Sequence, residues 1–379
     1  MRPVRAAFAL LLVLTSVLAT QVLAPGPAAA QSSEQRELLD TYAPVMAIRH
    51  QKKECEGDER FRPMSVEHVL GRDDVVLRNA DGDIVKRAPK AEDLAGLGSE
   101  HWLDFPGEAL DPGCTYEKWF QSFDATPAIY GRLTKDRGRL VAQYWFYWVF
   151  NQWNDLHESD WEMIQLEFDT GNVAKALARG PVGYAYAQHE GAEIADAGDE
   201  KVQLVDGTHP VVFSSGGSHA SYYSSTRWFG KSGSTGFGCD DTTGPTDRIT
   251  PEVIALPREA PDTGEFAWLS YQGHWGQKAP FFNDGPTGPG AKDRWDAPLE
   301  WVDEYGREAS VALPFARSGA TSTFCSLSSR GSALFNQILA DRLKVAIAAV
   351  LALIALVVVV RFGSRGLLGR AMRTGWRAR

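Results

Sequence analysis

The chain has 379 residues, 44% of them hydrophobic and 23% charged, and carries a formal charge of −9 at pH 7. An acidic surface repels polyphosphates and anionic headgroups, so neither nucleic acid nor an anionic lipid surface is expected as the main partner. The balance suits cations, or simply solubility.

The chain opens MRPVRAAFALLLVLTSVLATQVLAPGPAAAQ. Arg2 and Arg5 give a basic start, Ala6 to Leu18 is largely apolar, and Ala28, Ala29 and Ala30 supply small residues. These are the marks of a secretory signal peptide spanning residues 1–30, cut after Ala30.

Residues 31–335 then form one external domain. It has no internal repeat, and its short aromatic and β-branched runs are separated by Gly, Pro and Asp. That pattern predicts a mainly β fold, a jelly-roll-like β-sandwich with long loops and few short helices. Short helices are expected over 65–70 and 91–103. Strands are expected over 139–151, 161–169, 180–189, 201–205 and 209–215, with a helical turn over 170–179. Residues 231–264 and 283–292 read as loops, and 328–343 as a stalk.

The stalk leads into VAIAAVLALIALVVVV, residues 345–360, which has no charge and is flanked by Lys344 and Arg361. Snorkelling of those two side chains extends it to a transmembrane helix over 343–362. The tail that follows, 363–379, is basic and has no acid, which places it in the cytoplasm by the positive-inside rule. The expected topology is a single-pass cell-membrane protein with its large domain outside. Setting aside the arginines of the leader and of the segment from Arg361 onward leaves the external part at −17.

The cysteines are Cys55, Cys114, Cys239 and Cys325, all outside the membrane, where disulfides persist. Pairing Cys55 with Cys114 and Cys239 with Cys325 closes the shorter loops and is the favoured arrangement. No Cys/His cluster has the spacing of a structural zinc site.

The stretch NQWNDLHESDWEMIQLEFD, 151–169, places His157, Asp160 and Glu162 at the entrance of an apolar strand. Alternation puts Asp160 and Glu162 on the same face as Ile164, Leu166 and Phe168. His157 folds back from the preceding loop, with Asp155 nearby. Two carboxylates and an imidazole at the edge of a core suit a hard divalent cation, Mg²⁺, Ca²⁺ or Mn²⁺. The alternative is a structural hydrogen-bond network with no ion.

A second cluster, HPVVFSSGGSHASYYS, runs a strand into a Gly-rich turn. Gly216, Gly217, Ser218 and His219 are expected to bind a polar ligand. The segment after Ser218 is a poor helix, so a nucleophile elbow is not expected. A third stretch, YQGHWGQKAPFFNDGPTGP, carries His274 and Trp275, as a pocket wall or as a cover for one end of the sandwich. His189 and His50 read as lone structural histidines.

Four segments resemble the family named after vacuolar protein sorting protein sixty-two: YAPVMAIRH…RFRPMSVEHVL, HESDWEMIQLEF, GSHASYY and GHWGQKAPFFNDGPTGP, in that order. That family carries a Gly before D-W-E, where this chain has Ser159. The family's name implies neither reaction nor ligand. The His157–Asp160–Glu162 spacing is also similar to an element of the necrosis- and ethylene-inducing-like proteins, whose Gly and Arg are absent here. This second resemblance implies a secreted β-sandwich holding a divalent cation in an acidic pocket and binding membrane sphingolipid headgroups.

Together these readings predict a surface-displayed, cation-dependent binding module for a sugar or lipid headgroup. Two alternatives stand beside it. One is a hydrolase of esters or phosphodiesters, with the metal or Glu162 activating water. The other is a structural envelope protein without a site.

Overall fold

A strand that is apolar at nearly every position has to be covered on both faces. Residues 139–151 read this way. In the computed structural model of the protein they form a 13-residue strand buried from Leu140 to Asn151. The structure describes residues 31–50, 55, 59–232, 236–279, 283–313 and 319–341, with 346–347, 349–354 and 356–357. The leader, the basic tail and positions 343–345, 348, 355 and 358–362 of the expected span lie outside these. Among the described residues no helix is long and apolar enough to cross a membrane.

Strands are numbered along the chain. β1 is Val45–Arg49. β2 (Val76–Arg78), β3 (Ile84–Arg87) and β4 (Trp102–Asp104) make a three-stranded sheet in the order β3-β2-β4. β5 (Ala128–Asp136), β6 (Arg139–Asn151), β7 (His157–Phe168), β8 (Gly183–Gln188) and β9 (Gly191–Asp196) form an antiparallel meander. β10 (Leu204–Val205), β11 (His209–Ser214) and β12 (Ser221–Tyr222) follow. β13 (Arg227–Ser232) and β14 (Gly236–Asp241) pair as a hairpin. β15 (Thr246–Ile249), β16 (Glu252–Ala255) and β17 (Gly306–Arg307) complete the set.

β16 and β17 cap the meander in parallel with β5 and β9, which gives a seven-stranded sheet, β16-β5-β6-β7-β8-β9-β17. A second sheet runs β10-β11-β1-β15, with β12 paired to β11. The fold is therefore β-rich with few short helices, as expected. No closed sandwich is seen among the described residues.

Both faces of β6 and β7 are packed with aromatic residues, because successive side chains point to opposite sides. On one face Tyr147, Trp161, Trp268 and Trp275 form a cluster with ring centroids 5.0–5.6 Å apart. On the other, Tyr144 donates to the carbonyl of Leu39, and Trp148 stacks on His219 at 4.2 Å. The second sheet lies against this other face, with Tyr186 donating to the carbonyl of Val211.

The helices are short because their sequences carry early stop signals. α1 (Ser33–Thr41) starts at a capping box of Ser32 and Gln35. α2 is only Ala91–Leu94; the helix expected over 91–103 stops before Gly96, whose φ is +67°. The rest of that segment leads into β4. α3 is Thr115–Gln121, and α4 (Val173–Arg179) fills the expected turn, capped by Asn172. α5 (Asp293–Asp296) and α6 (Pro298–Tyr305) lie where a loop had been expected to end.

Two other expectations need correction. Residues 231–264 are not one loop. They contain the end of the β13–β14 hairpin, β15 and β16, held by main-chain pairing that leaves little apolar periodicity to read. The segment expected as a stalk over 328–343 lies largely within a helix that starts earlier, α7 (Gly319–Ala340). The favoured cysteine pairing is the one formed: Cys55–Cys114 and Cys239–Cys325, closing separations of 59 and 86 residues. The second bond ties α7 to β14.

Candidate functional site

The site sits where two strands part. β7 and β8 pair only between Ile164–Glu167 and Tyr186–Gly183. The stretch of β7 before Ile164 is thus unpaired on that side. Asp160 and Glu162 point from it to the same face as Trp148 and Phe146, their cross-strand partners. The turn after β11 covers this face.

Three residues around the site hold the left-handed conformation, which costs a residue with a side chain roughly 1–2 kcal/mol. They are Ser159 at φ +51°, His189 at +59° and His219 at +57°. Ser159 stands where a glycine would meet no such cost. Backbone strain of this kind collects at sites where geometry has been selected over local stability.

His219 is fully buried and bridges two carboxylates. Its Nδ1 lies 2.8 Å from Asp160 Oδ2 and its Nε2 3.4 Å from Glu59 Oε2. The second contact is an ion pair whose alignment does not make a hydrogen bond. Burial disfavours the charged ring, but the Glu59 charge and the Asp160 bond outweigh it and lift His219 to about 9. Burial likewise opposes ionised Asp160 and Glu59, and in both the imidazolium outweighs it, so both sit below the ordinary carboxylate range. Glu59 also accepts from the amides of Arg60, Phe61 and Gly217.

Glu162 is different. It is 5% exposed, and its Oε2 is buried without a hydrogen-bond partner. Burial first, and the charge of Asp160 second, push its carboxyl up to about 8. Arg294 and Lys292, from the segment around α5, lie within electrostatic reach of both carboxylates. Asp160 keeps 13% of its side chain exposed, so the site opens to solvent at that residue.

A third buried node adjoins. Asp240 accepts from Ser218 Oγ at 2.6 Å, Tyr222 Oη at 2.6 Å and His189 Nε2 at 2.9 Å. Burial works against the charged His189 ring, but Asp240 outweighs it and raises the ring to about 9.

The residues expected to form the site are thus near one another but differently employed. His157 spends both ring nitrogens: Nδ1 donates to the carbonyl of Ser159 at 2.8 Å, and Nε2 faces the amide of Asn151 at 2.9 Å. His157, Asp160 and Glu162 do not bring their ligand atoms within 4.8 Å of one another. The group of described residues that does is Cys55, Cys114 and Glu117. There the two sulfurs are bonded to each other and Glu117 pairs with Arg60 at 2.7 Å, so it offers no thiolate to a metal.

In the Gly-rich turn, the amide of Gly217 is taken by Glu59 and that of Gly216 by the carbonyl of Asp241. Ser218 donates to the Asp240 carboxylate and not to an imidazole, so it does not form the Ser–His pair of an activated nucleophile. His274 bonds the carbonyl of Gly285, Trp275 is buried in the aromatic cluster, and His50 pairs with Asp247 at the surface.

Sequence reasoning missed Glu59, Asp240, Lys292 and Arg294, and read His189 as a lone residue. No spacing rule links these positions; only the fold brings Glu59 to His219, Asp240 to His189, and Arg294 to the His189 carbonyl.

No family model matches the chain, so the resemblance to the vacuolar-protein-sorting family has no support there, and no curated protein matches it. Similar solved structures are necrosis-inducing toxin-fold proteins. NLPPya in complex with glucosamine is 13% identical, with 74% of this chain and 95% of that chain covered and a TM-score of 0.35. NLPPya in complex with mannosamine has the same identity and coverage and a TM-score of 0.37. Necrosis and Ethylene inducing Protein 2, from the causal agent of cocoa's Witches Broom disease, is 12% identical, with 64% and 80% covered and a TM-score of 0.30. At these values the likeness carries no argument about what this chain binds.

Proposed function

We propose that this chain is a surface-displayed binding module, anchored by its C-terminal apolar run, that takes a divalent cation on Asp160 and Glu162 and uses it to hold a polar, oxygen-rich ligand such as a sugar or a lipid headgroup. One observation carries the reading: the unpartnered, buried carboxylate oxygen of Glu162, on the same strand face as Asp160. Two like charges so placed are costly unless a proton or a cation lies between them.

The donor set fits a hard cation, since carboxylate oxygens suit Mg²⁺, Ca²⁺ and Mn²⁺. His157 would join through Nε2 on releasing Asn151. The cation supplies a Lewis-acidic anchor for ligand oxygens. Glu59 and His219 hold Asp160 in place behind it, and Asp240 does the same for His189. Ser218 donates to Asp240 and has no imidazole partner, which favours binding over nucleophilic hydrolysis.

The test is elemental analysis of the full chain beside Asp160→Asn and Glu162→Gln. About one cation per chain, lost in both variants while they remain folded, is the expected result. Absence of metal in the parent, with no thermal shift on adding Mg²⁺, Ca²⁺ or Mn²⁺, overturns it.

A further inference from the structure

The helices that cover the large sheet stop part-way across it. Gln143 donates to the carbonyl of Arg294 and Gln165 to that of Pro298, so α5 and α6 lie over β6 and β7. Past α6, on the same face, a cavity of about 580 Å³ opens, a size that takes small ligands. Its floor is set by register. Glu167, Gly183 and Asp196 stand side by side on β7, β8 and β9, as do Gln165, Ala185 and Ile194. Directly paired residues share a face, so two small residues run down the middle of a trough with larger side chains on either side. Side chains alternate along β7, which puts this trough on the opposite face from Asp160 and Glu162.

Glycine inside a sheet weakens it, and often marks a place that another molecule approaches closely. Gly183 does not hold the left-handed conformation. A Cβ there would meet only the Ala195 carbonyl oxygen at 3.7 Å and Glu167 Cβ at 4.0 Å, which are ordinary van der Waals contacts. The fold would accept a side chain at this position, and what its absence supplies is the open middle of the trough.

The walls are acidic. Glu167, Asp196, Asp199 and Glu308 line the cavity against one cation, Lys201. That lysine is already engaged: its Nζ lies 3.3 Å from Glu193 and donates to the carbonyl of Glu308. Glu167 pairs with Arg139, whose side chain is 53% exposed, so water competes for the pair. The carboxylates of Asp196 and Glu308 have no partner among the described residues. One metal ion does not fit this arrangement. Two strand spacings, about 9–10 Å, separate the backbones at Glu167 and Asp196, whereas carboxylate oxygens stand about 2–2.6 Å from an ion they share. The complement is a molecule with separated cationic ends and an apolar middle. An ammonium group is all donor and suits a carboxylate, and methylenes suit a floor of Gly183, Ala185 and Ile194.

From this trough, with its open glycine floor between Glu167 and Asp196, we infer that the chain has a further binding site for an aliphatic diamine or polyamine, one ammonium group at each of these two carboxylates. The inference does not rest on the cation reading above.

The experiment is calorimetric titration of the full chain at low ionic strength with putrescine and with spermidine, butylamine being the singly charged control. The parent is expected to bind both amines at least about tenfold more tightly than butylamine. Asp196→Asn, a change at an exposed residue, is expected to stay folded and to weaken binding at least about tenfold. Gly183→Val is expected to abolish binding by filling the trough, with the thermal midpoint kept or raised, since valine favours strands. No binding by the parent, or butylamine bound as tightly as putrescine, overturns the inference. Binding that a folded Asp196→Asn or Gly183→Val leaves intact is attraction to the acidic chain as a whole, and overturns it too.

Discussion

Single residues around the site work against the stability of the fold, and this can be measured. Ser159 holds φ +51° with its hydroxyl buried and unpartnered. Ser159→Gly is expected to stabilise the chain by about 1 kcal/mol in urea unfolding, the strain relieved less the entropy of glycine. His219→Asn removes the cation between Asp160 and Glu59 and is expected to cost roughly 3–5 kcal/mol, because it leaves buried charge uncompensated. Glu162 sets a pH dependence. Unfolded it loses its proton near 4.5 and folded near 8, so between those values the folded state holds more protons and stability falls as pH rises. His189 and His219 act in the same direction: their contribution is full below 6.5 and gone above about 9. With chelator present, the thermal midpoint should fall from pH 4.5 to pH 9, and Glu162→Gln should flatten the part below 8. A flat profile in the parent would refute this. Asp160 and Glu162 could be singled out from sequence because they break an apolar alternation. Glu59 could not, since it sits in a charged run, ECEGDERF, that reads as a solvated loop.

Among the elements, those with strong periodicity were legible and those held by long-range pairing were not. β6 was found residue for residue because thirteen mostly apolar positions admit few other structures. β15 and β16, four residues each, bury only Val253 and exist because β1 and β5 supply partners. The same is true of the segment that carries Lys292 and Arg294, which follows a Gly/Pro stretch and is held by Gln143 donating to the carbonyl of Arg294. α7 is an element whose attachment can be tested. Cys325 ties it to β14, and Asn336 reaches the carbonyl of Asn154, beside the site, at 3.1 Å. Replacing Cys239 and Cys325 by Ser opens a loop of 86 residues, worth about 4–5 kcal/mol in the chain-entropy account. Limited proteolysis should then cut at α7 well before the sheet. Unchanged protection would mean that Asn336 and its neighbours suffice to dock the helix.

At the scale of the whole molecule, an acidic chain holds cationic groups away from solvent: His219 and Arg294 are buried, and His189 and Lys292 half-buried. Composition gives the acidic sum and hides these interior cations, which is why charge counting did not find them. The aromatic cluster on the opposite face of the same strands is the mechanical support. Trp161→Ala is expected to cost about 3–5 kcal/mol and, by loosening β7, to weaken metal retention as well. The topology of the large sheet has one more consequence, which concerns time. The meander β5 to β9 is local in sequence and assembles early, but both of its edges wait for β16 and β17, made much later in the chain. Pulse-labelled hydrogen exchange during refolding should show the amides of β6 and β7 protected before those of β16. A ribosome delivers the chain in that order too, leaving two bare edges that invite pairing with a neighbour until residues 252–307 emerge. Trp295 and Trp301, which are buried in the core of the large sheet, arrive within that same stretch, so the nascent chain completes its core and loses its hazard of aggregation in a single step.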